Sequence, residues 1–177
     1  MRAYKWIGSA VLIVIALFLV TSLFLPPQYR VERSIVIYCP IETVYSNVAD
    51  LTTWSKWNSL VMSDLSARYT FSGSPRTAGH KMTWLGTQIA SGSIELEEVS
   101  LNKFISSKLK LSRADLLQSN DFWIFTSVKK GTKLTWADQG DLSYPAGRYY
   151  GLLLDGMLGP EMEKGLSKLK LFCEQRQ

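Results

Sequence analysis

The chain is poor in the residues most enzymes rely on. Among 177 residues there is one histidine, His80, and there are two cysteines, Cys39 and Cys173. A nucleophile–histidine pair can be built only around His80, and no GxSxG elbow accompanies it. The two cysteines lie far apart, without a CxxC or Cys/His cluster, which excludes the zinc patterns. A GxxxxGK[ST] phosphate loop is absent. No cofactor and no metal is therefore expected. A nucleic-acid footprint is missing too. Of the net charge of +5, three units come from Arg2, Lys5 and Arg30, in a stretch without acids. What is left is the balance of an ordinary soluble surface.

Charge is also missing from Trp6 to Leu25, "WIGSAVLIVIALFLVTSLFL". About 20 helical residues at 1.5 Å each cross a ~30 Å hydrocarbon layer, and Pro26–Pro27 stops the helix. A signal peptide has a shorter apolar region, of about 7–15 residues. Here Leu23-Phe24-Leu25 prolong the run past the passable cleavage triplet Val20-Thr21-Ser22. The reading is an uncleaved single-pass anchor at residues 6–25, after a flank at 1–5 and before a linker at 26–30. Arg2, Lys5 and the α-amine on one side, against Arg30 and Arg33 on the other, place the following domain on the extracytoplasmic side by a margin of about one charge.

Residues 31–177 are rich in aromatic and apolar side chains. "VERSIVI" alternates with period 2 and reads as a strand. Pro40, Glu42 and the spacing of Ile41, Val44, Tyr45 and Val48 predict a short helix, with a second piece from Asp50 carrying Trp54 and Trp57. Six strand-like segments follow, at 66–73, 79–86, 89–99, 103–111, 118–128 and 132–142, divided by turn residues such as Gly73-Ser74-Pro75 and Lys130-Gly131. After Pro145 the pattern returns to helix. Pro160 is expected at a helix start. Met162, Gly165, Leu166, Leu169, Phe172 and Cys173 then share one face. Gly165 costs an exposed helix roughly 1 kcal/mol relative to alanine. On an apolar face it lets another backbone approach closely. A one-faced antiparallel sheet must bury that face, and the long helix is the one element large enough to cover it. A curved sheet around a single helix leaves a space between them.

Four stretches carry a family resemblance. "VERSIVIYCPIETVYSNVADLTTWSKWNS" is similar to an opening strand, a P-x-x-V helix and a D-x-x-x-W-x-x-W turn. "YTFSGSPRTAGHKMTW" is similar to a Y-x-x-x-G … G-x-x-x-x-W hairpin. "GTKLTWADQGDL" is similar to a G-T-x-V-x-W last strand, and "GPEMEKGLSKLK" to a terminal G-P-x-F-E-K-G-L-x-x-L-K helix. In these the chain resembles the SRPBCC superfamily, the START-like and polyketide cyclase/dehydrase group. The resemblance implies an α+β helix-grip fold: a curved antiparallel seven-stranded sheet wrapped around a long C-terminal helix, here with a transmembrane helix in front. It implies an apolar small molecule, such as a lipid, isoprenoid or polyketide-like compound, held between sheet and helix. It brings no shared catalytic set, because fold and function separate in this superfamily.

Candidate cavity residues are Trp54, Tyr69, Trp84, Trp123, Phe125, Trp136, Asp138, Leu153 and Met157. By period-2 parity Leu134, Trp136 and Asp138 share a face of their strand, as do Trp123 and Phe125 of theirs, and if those faces are concave their rings line the cavity. Each tryptophan alone fits plain core packing as well. Asp138 would be a carboxyl on an aromatic wall, either orienting a ligand or acting as a base. His80, at a strand start, reads as a solvated or hydrogen-bonded residue before a catalytic one, and Arg113 and Asp115 as solvated loop residues. Lys129, Lys130 and Lys133 form a basic hairpin tip suited to anionic headgroups or simply to water. Cys39 and Cys173 end the first strand and the last helix, and are read as two buried thiols or, in an exported domain, a disulfide. Three functions stay open: an anchored carrier of an apolar ligand, a cyclase- or dehydratase-like enzyme drawing on Asp138, Tyr69 or His80, and an interaction module with a filled core. The lack of an ordered catalytic motif favours the first and third.

Overall fold

The computed structural model describes residues 3–62, 64, 66–112 and 118–175. Arg113 and Asp115 lie outside the described residues. The chain opens with helix α1 (Ala3–Leu23), followed by strand β1 (Gln28–Ile37), helix α2 (Ile41–Ala49), a 3₁₀ turn (Leu51–Lys56) and the short helix α3 (Ser59–Met62). Six strands come next: β2 (Arg68–Ser72), β3 (Lys81–Leu85), β4 (Gly92–Ser100), β5 (Phe104–Leu111), β6 (Gln118–Val128) and β7 (Gly131–Asp141). Helix α4 (Ala146–Glu174) closes the chain. The seven strands form one antiparallel sheet in the order β1-β7-β6-β5-β4-β3-β2, and α4 lies across its inner face. A bulge between Leu96 and Glu98 in β4 adds local bend and twist to the sheet.

Local chemistry accounts for the starts and stops. Pro40 precedes α2, where its fixed φ and missing N–H cost nothing. The Asp50 carboxylate accepts the Thr52 N–H at 3.0 Å and starts the 3₁₀ turn. β1 begins at Gln28 and so takes up part of the expected linker. Pro160 corrects an expectation: it lies inside α4, which runs unbroken from Ala146. The N–H that Pro160 lacks would have bonded the carbonyl of residue 156. Leu154 and Met162, on either side of the proline, are both buried toward the sheet. Packing carries the helix through the break.

α1 is long and apolar enough to cross a membrane, with a mean hydropathy of 2.5 over Trp6–Leu23, and almost all of it is exposed. A helix of this kind near an N-terminus also suits a signal sequence.

Arg33 fastens α4 to β1. Its guanidinium reaches Asp155 at 2.9 and 3.1 Å and Glu163 at 2.7 Å, passing over Gly159. A Cβ on Gly159 would meet Arg33 Nη2 at 2.1 Å, so only glycine leaves room for this crossing. Gly165 is buried on the packed face of α4, as its position on the apolar stripe predicts.

His80 is buried. Its Nε2 accepts the Leu51 N–H at 3.2 Å, which leaves Nδ1 to donate to the Ser72 carbonyl at 3.2 Å. It ties the 3₁₀ turn to the β2–β3 hairpin and is used up in doing so. Cys39 and Cys173 are buried thiols in one core cluster, and the Asn47 amide donates to Cys173 Sγ at 3.7 Å.

Candidate functional site

Between the inner face of the sheet and α4 lies a cavity of about 450 Å³, closed at one end by the 3₁₀ turn and α3. Its walls follow from strand parity. Successive side chains on a strand point to opposite faces, so Met82, Trp84, Ile94, Leu109 and Trp136 all turn inward and line it. α4 contributes Leu158 and Met162, with Glu161 and Lys164 at the rim.

Most polar atoms of the aromatic walls are already bonded to backbone. Trp54 Nε1 donates to the Val48 carbonyl at 2.9 Å, Trp84 Nε1 to Ala90 at 2.7 Å, and the Tyr69 hydroxyl to Val61 at 2.9 Å. These residues offer a ligand only ring surface.

Apart from Asn58 near α3 and the rim residues Glu161 and Lys164, polarity on the wall is concentrated at one place. Asp121 on β6 and Asp138 on β7 are register partners, both inward, both buried and both on the cavity wall. Trp136 Nε1 donates to Asp121 Oδ1 at 2.7 Å, and the Tyr29 hydroxyl donates to Asp138 Oδ1 at 2.6 Å. Gly140 makes the second bond possible, since a Cβ there would meet the Tyr29 ring at 2.7 Å. Burial holds the Asp121 carboxyl well above the usual carboxylate range, and the charge of Asp138 beside it pushes the same way. Burial also raises Asp138, but hydrogen bonds from Tyr29, Ser119 and Asp121 oppose the rise. The Tyr29 phenol is raised by burial and by the neighbouring Asp138. Burial thus favours the acid form at both carboxyls, more strongly at Asp121, while the hydrogen bonds around Asp138 favour its charged form. Such a pair can donate to one ligand atom and accept from another.

The rim is held by Asp64, whose Oδ2 accepts the N–H groups of Thr87 and Gln88, both at 2.7 Å, and of Ile89 at 3.3 Å. The Ser66 hydroxyl adds a bond at 2.6 Å. Together these donors hold the Asp64 carboxyl below the usual carboxylate range. Ile89 lines the cavity, so Asp64 sets one edge of its mouth.

The expected site residues divide three ways. Trp54, Tyr69, Trp84, Trp136 and Asp138 line the cavity. Trp123 and Phe125 point inward but are sealed into the packed core. Trp123 stacks on Trp136 at 4.4 Å and meets Trp54 and Trp57 edge-on, while Phe125 meets Tyr45. Leu153 and Met157 lie outside the lining, at 59% and 51% exposure. The cause is helix phase: the inward residues are Leu154 and Leu158, each one position and about 100° further round. Asp121, Tyr29 and Asp64 were not foreseen. Parity could have found Asp121, which stands two residues before Trp123. Tyr29 and Asp64 carry no such local signal. His80, foreseen as a possible catalytic group, is a structural residue. The basic tip is formed as a turn between β6 and β7. Among the described residues no three His, Cys, Asp or Glu side chains gather as a metal site.

The chain matches the family described as polyketide cyclase/dehydrase and lipid transport over residues 28–174. No curated protein matches it. Solved structures share its fold at low identity. A protein of unknown function from Staphylococcus aureus is 11% identical with a TM-score of 0.66, the match covering 84% of this chain and 95% of that one. A Mesorhizobium loti protein is 18% identical with a TM-score of 0.61, covering 84% and 98%. The di-domain aromatase/cyclase of the steffimycin biosynthetic pathway is 13% identical with a TM-score of 0.65, covering 84% of this chain and 51% of that longer one.

Proposed function

The chain belongs to the polyketide cyclase/dehydrase and lipid transport family, and from that premise we propose that it is a membrane-anchored, single-pass protein whose domain binds an apolar small molecule in the cavity. The ligand is lipid, isoprenoid or polyketide-like, with one oxygen-bearing end that meets Asp121 and Asp138. The observation that carries this reading is the cavity itself: apolar walls with their polar atoms tied off, and a single buried carboxyl pair. Ligand pockets are commonly of this kind, mostly apolar with a few placed polar groups. An open cavity also argues against an interaction module with a filled core. α1 is the membrane anchor in this reading, and the domain faces the extracytoplasmic side.

Native mass spectrometry of the full-length protein, with detergent stripped in the gas phase and the bound material then extracted into organic solvent, tests the proposal. A stoichiometric bound mass that disappears in Leu109→Trp, which fills the cavity, is the expected result. A clean apo mass, with no binding of an apolar fluorescent probe, would overturn it.

The carboxyl pair gives specific support to a second reading, a dehydratase- or cyclase-like enzyme. Asp138 would take a proton from a carbon beside a carbonyl. Asp121 would protonate a departing hydroxyl, so that water leaves as the double bond forms. Asp138→Asn would then abolish turnover while ligand binding persists. Retained turnover in that variant removes Asp138 from any mechanism.

A further inference from the structure

The first half of α4 faces outward with an unusual surface. Tyr150, Leu152, Leu153 and Met157 are all exposed, from 40% to 61%. The two charged groups of this half are both engaged, Asp155 by Arg33 and Arg148 by the end of α1. The second half of the same helix exposes Glu161, Glu163, Lys164 and Ser167, with Leu171 its one exposed large apolar side chain among the described residues. Water explains the second surface and leaves the first without a partner.

The place of α1 supplies one. Its C-terminal end is fastened to the start of α4. Arg148 Nη1 donates to the carbonyl of Ser22 at 3.0 Å, with those of Leu23 and Leu25 at 3.5 Å, and so caps the end of α1. The Tyr144 hydroxyl donates to the Leu19 carbonyl at 3.0 Å. The Tyr149 hydroxyl donates to the Phe18 carbonyl at 2.7 Å and meets the Thr21 hydroxyl, and its ring stacks on Phe18 at 4.7 Å. Phe18 lies five residues, or about 8 Å, before the end of α1. Tyr149 is therefore level with residues inside the apolar span.

We infer that the first half of α4, Ala146–Leu158, lies in the surface layer of the bilayer that α1 crosses, with Tyr150, Leu153 and Met157 entering the acyl boundary. This rests on reading α1 as a membrane span. The chemistry fits the layer: tyrosines concentrate at the headgroup level, and an interfacial helix sinks its apolar face about 5–10 Å. Arg148 sits where anionic headgroups gather. Leu158, which follows Met157, lines the cavity, so the lipid-facing surface borders the cavity mouth.

Nitroxide labels on full-length Leu12→Cys, Leu153→Cys, Met157→Cys and Ser167→Cys test this in vesicles of phosphatidylcholine with a minority of phosphatidylglycerol. Cys39 and Cys173 are buried and take no label in the folded protein. The readout is accessibility to dissolved oxygen relative to a water-soluble nickel chelate. The expected ratio at 153 and 157 is several-fold higher than at 167 and approaches that at 12. A lipid-like ratio at 12 with water-like ratios at 153 and 157 overturns the docking and leaves the anchor standing. A water-like ratio at 12 overturns both.

Discussion

Two neighbouring rungs of the sheet differ more than their sequence suggests. Trp123–Trp136 and Asp121–Asp138 are consecutive inward pairs on the same two strands. In the first rung Trp123 is packed: its indole stacks on Trp136, which turns its other side to the cavity, and Trp54 and Trp57 close over Trp123 from the 3₁₀ turn. The second borders a hollow and ends in two carboxyls. The difference lies in the cover. Over the first rung the chain supplies α2 and the tryptophan-bearing turn. Over the second only α4 passes, at Leu158 and Met162. Inward direction is set by the strand, but whether an inward side chain becomes core or cavity wall is set by what crosses above it.

The largest expected effect breaks the packed rung. Trp123→Ala removes a fully buried indole and should cost about 3–5 kcal/mol, seen as a lower urea midpoint. Leu109→Ala on the cavity wall should cost less than half as much, because its side chain already faces open space. Equal losses at the two positions would mean that the hollow is closed in solution and that the contrast between the rungs is false.

Next in size is the carboxyl pair, read through pH. The folded pKa of Asp121 lies above its unfolded value of about 4. The folded state therefore holds the proton more tightly. This stabilisation is complete below the unfolded value and is lost as pH rises through the raised folded one. The slope while the two states differ by one proton is about 1.4 kcal/mol per pH unit. Asp64 works in the opposite sense: its folded pKa is lowered, so its stabilisation is present above pH of about 4 and lost as pH falls. The window from pH 5 upward isolates the pair. Wild type should lose stability there as pH rises, and Asp121→Asn, which keeps the shape and leaves only the more weakly raised Asp138 to titrate, should lose clearly less. Parallel curves for the two proteins would show that Asp121 is not the proton-holding partner.

What could be read from the sequence follows the same division. Strand number, strand limits within a few residues and the terminal helix were legible, because alternation and turn residues are local signals. The phase of α4 before Pro160 was not. A proline there reads locally as a helix start, and only contacts with β1 through Leu154, Gly159 and Arg33 carry the helix across it. That is why Leu153 and Met157 were expected inside, where Leu154 and Leu158 lie. Trp54, Trp84, Trp136 and Asp138 were legible from parity and composition. Tyr29 was not, since its partner Asp138 is a sheet neighbour more than a hundred residues away.

The smallest of the three effects sharpens that long-range contact. Gly140→Ala puts a Cβ 2.7 Å from the Tyr29 ring and 3.1 Å from the Gln118 carbonyl. Overpacking costs about 1–3 kcal/mol, and the restricted unfolded chain returns up to about 1 kcal/mol, so the net loss should be about 1 kcal/mol. The informative readout is the pH profile. Tyr29 donates to Asp138 and favours its charged form. If the ring is pushed aside, the Asp138 carboxyl should rise further and the loss of stability with pH should steepen. Tyr29→Phe should steepen it in the same way without adding a Cβ. A Gly140→Ala protein that is destabilised but keeps the wild-type profile would place the cost in backbone crowding alone. Gly140 would then have no part in setting the charge on the cavity wall.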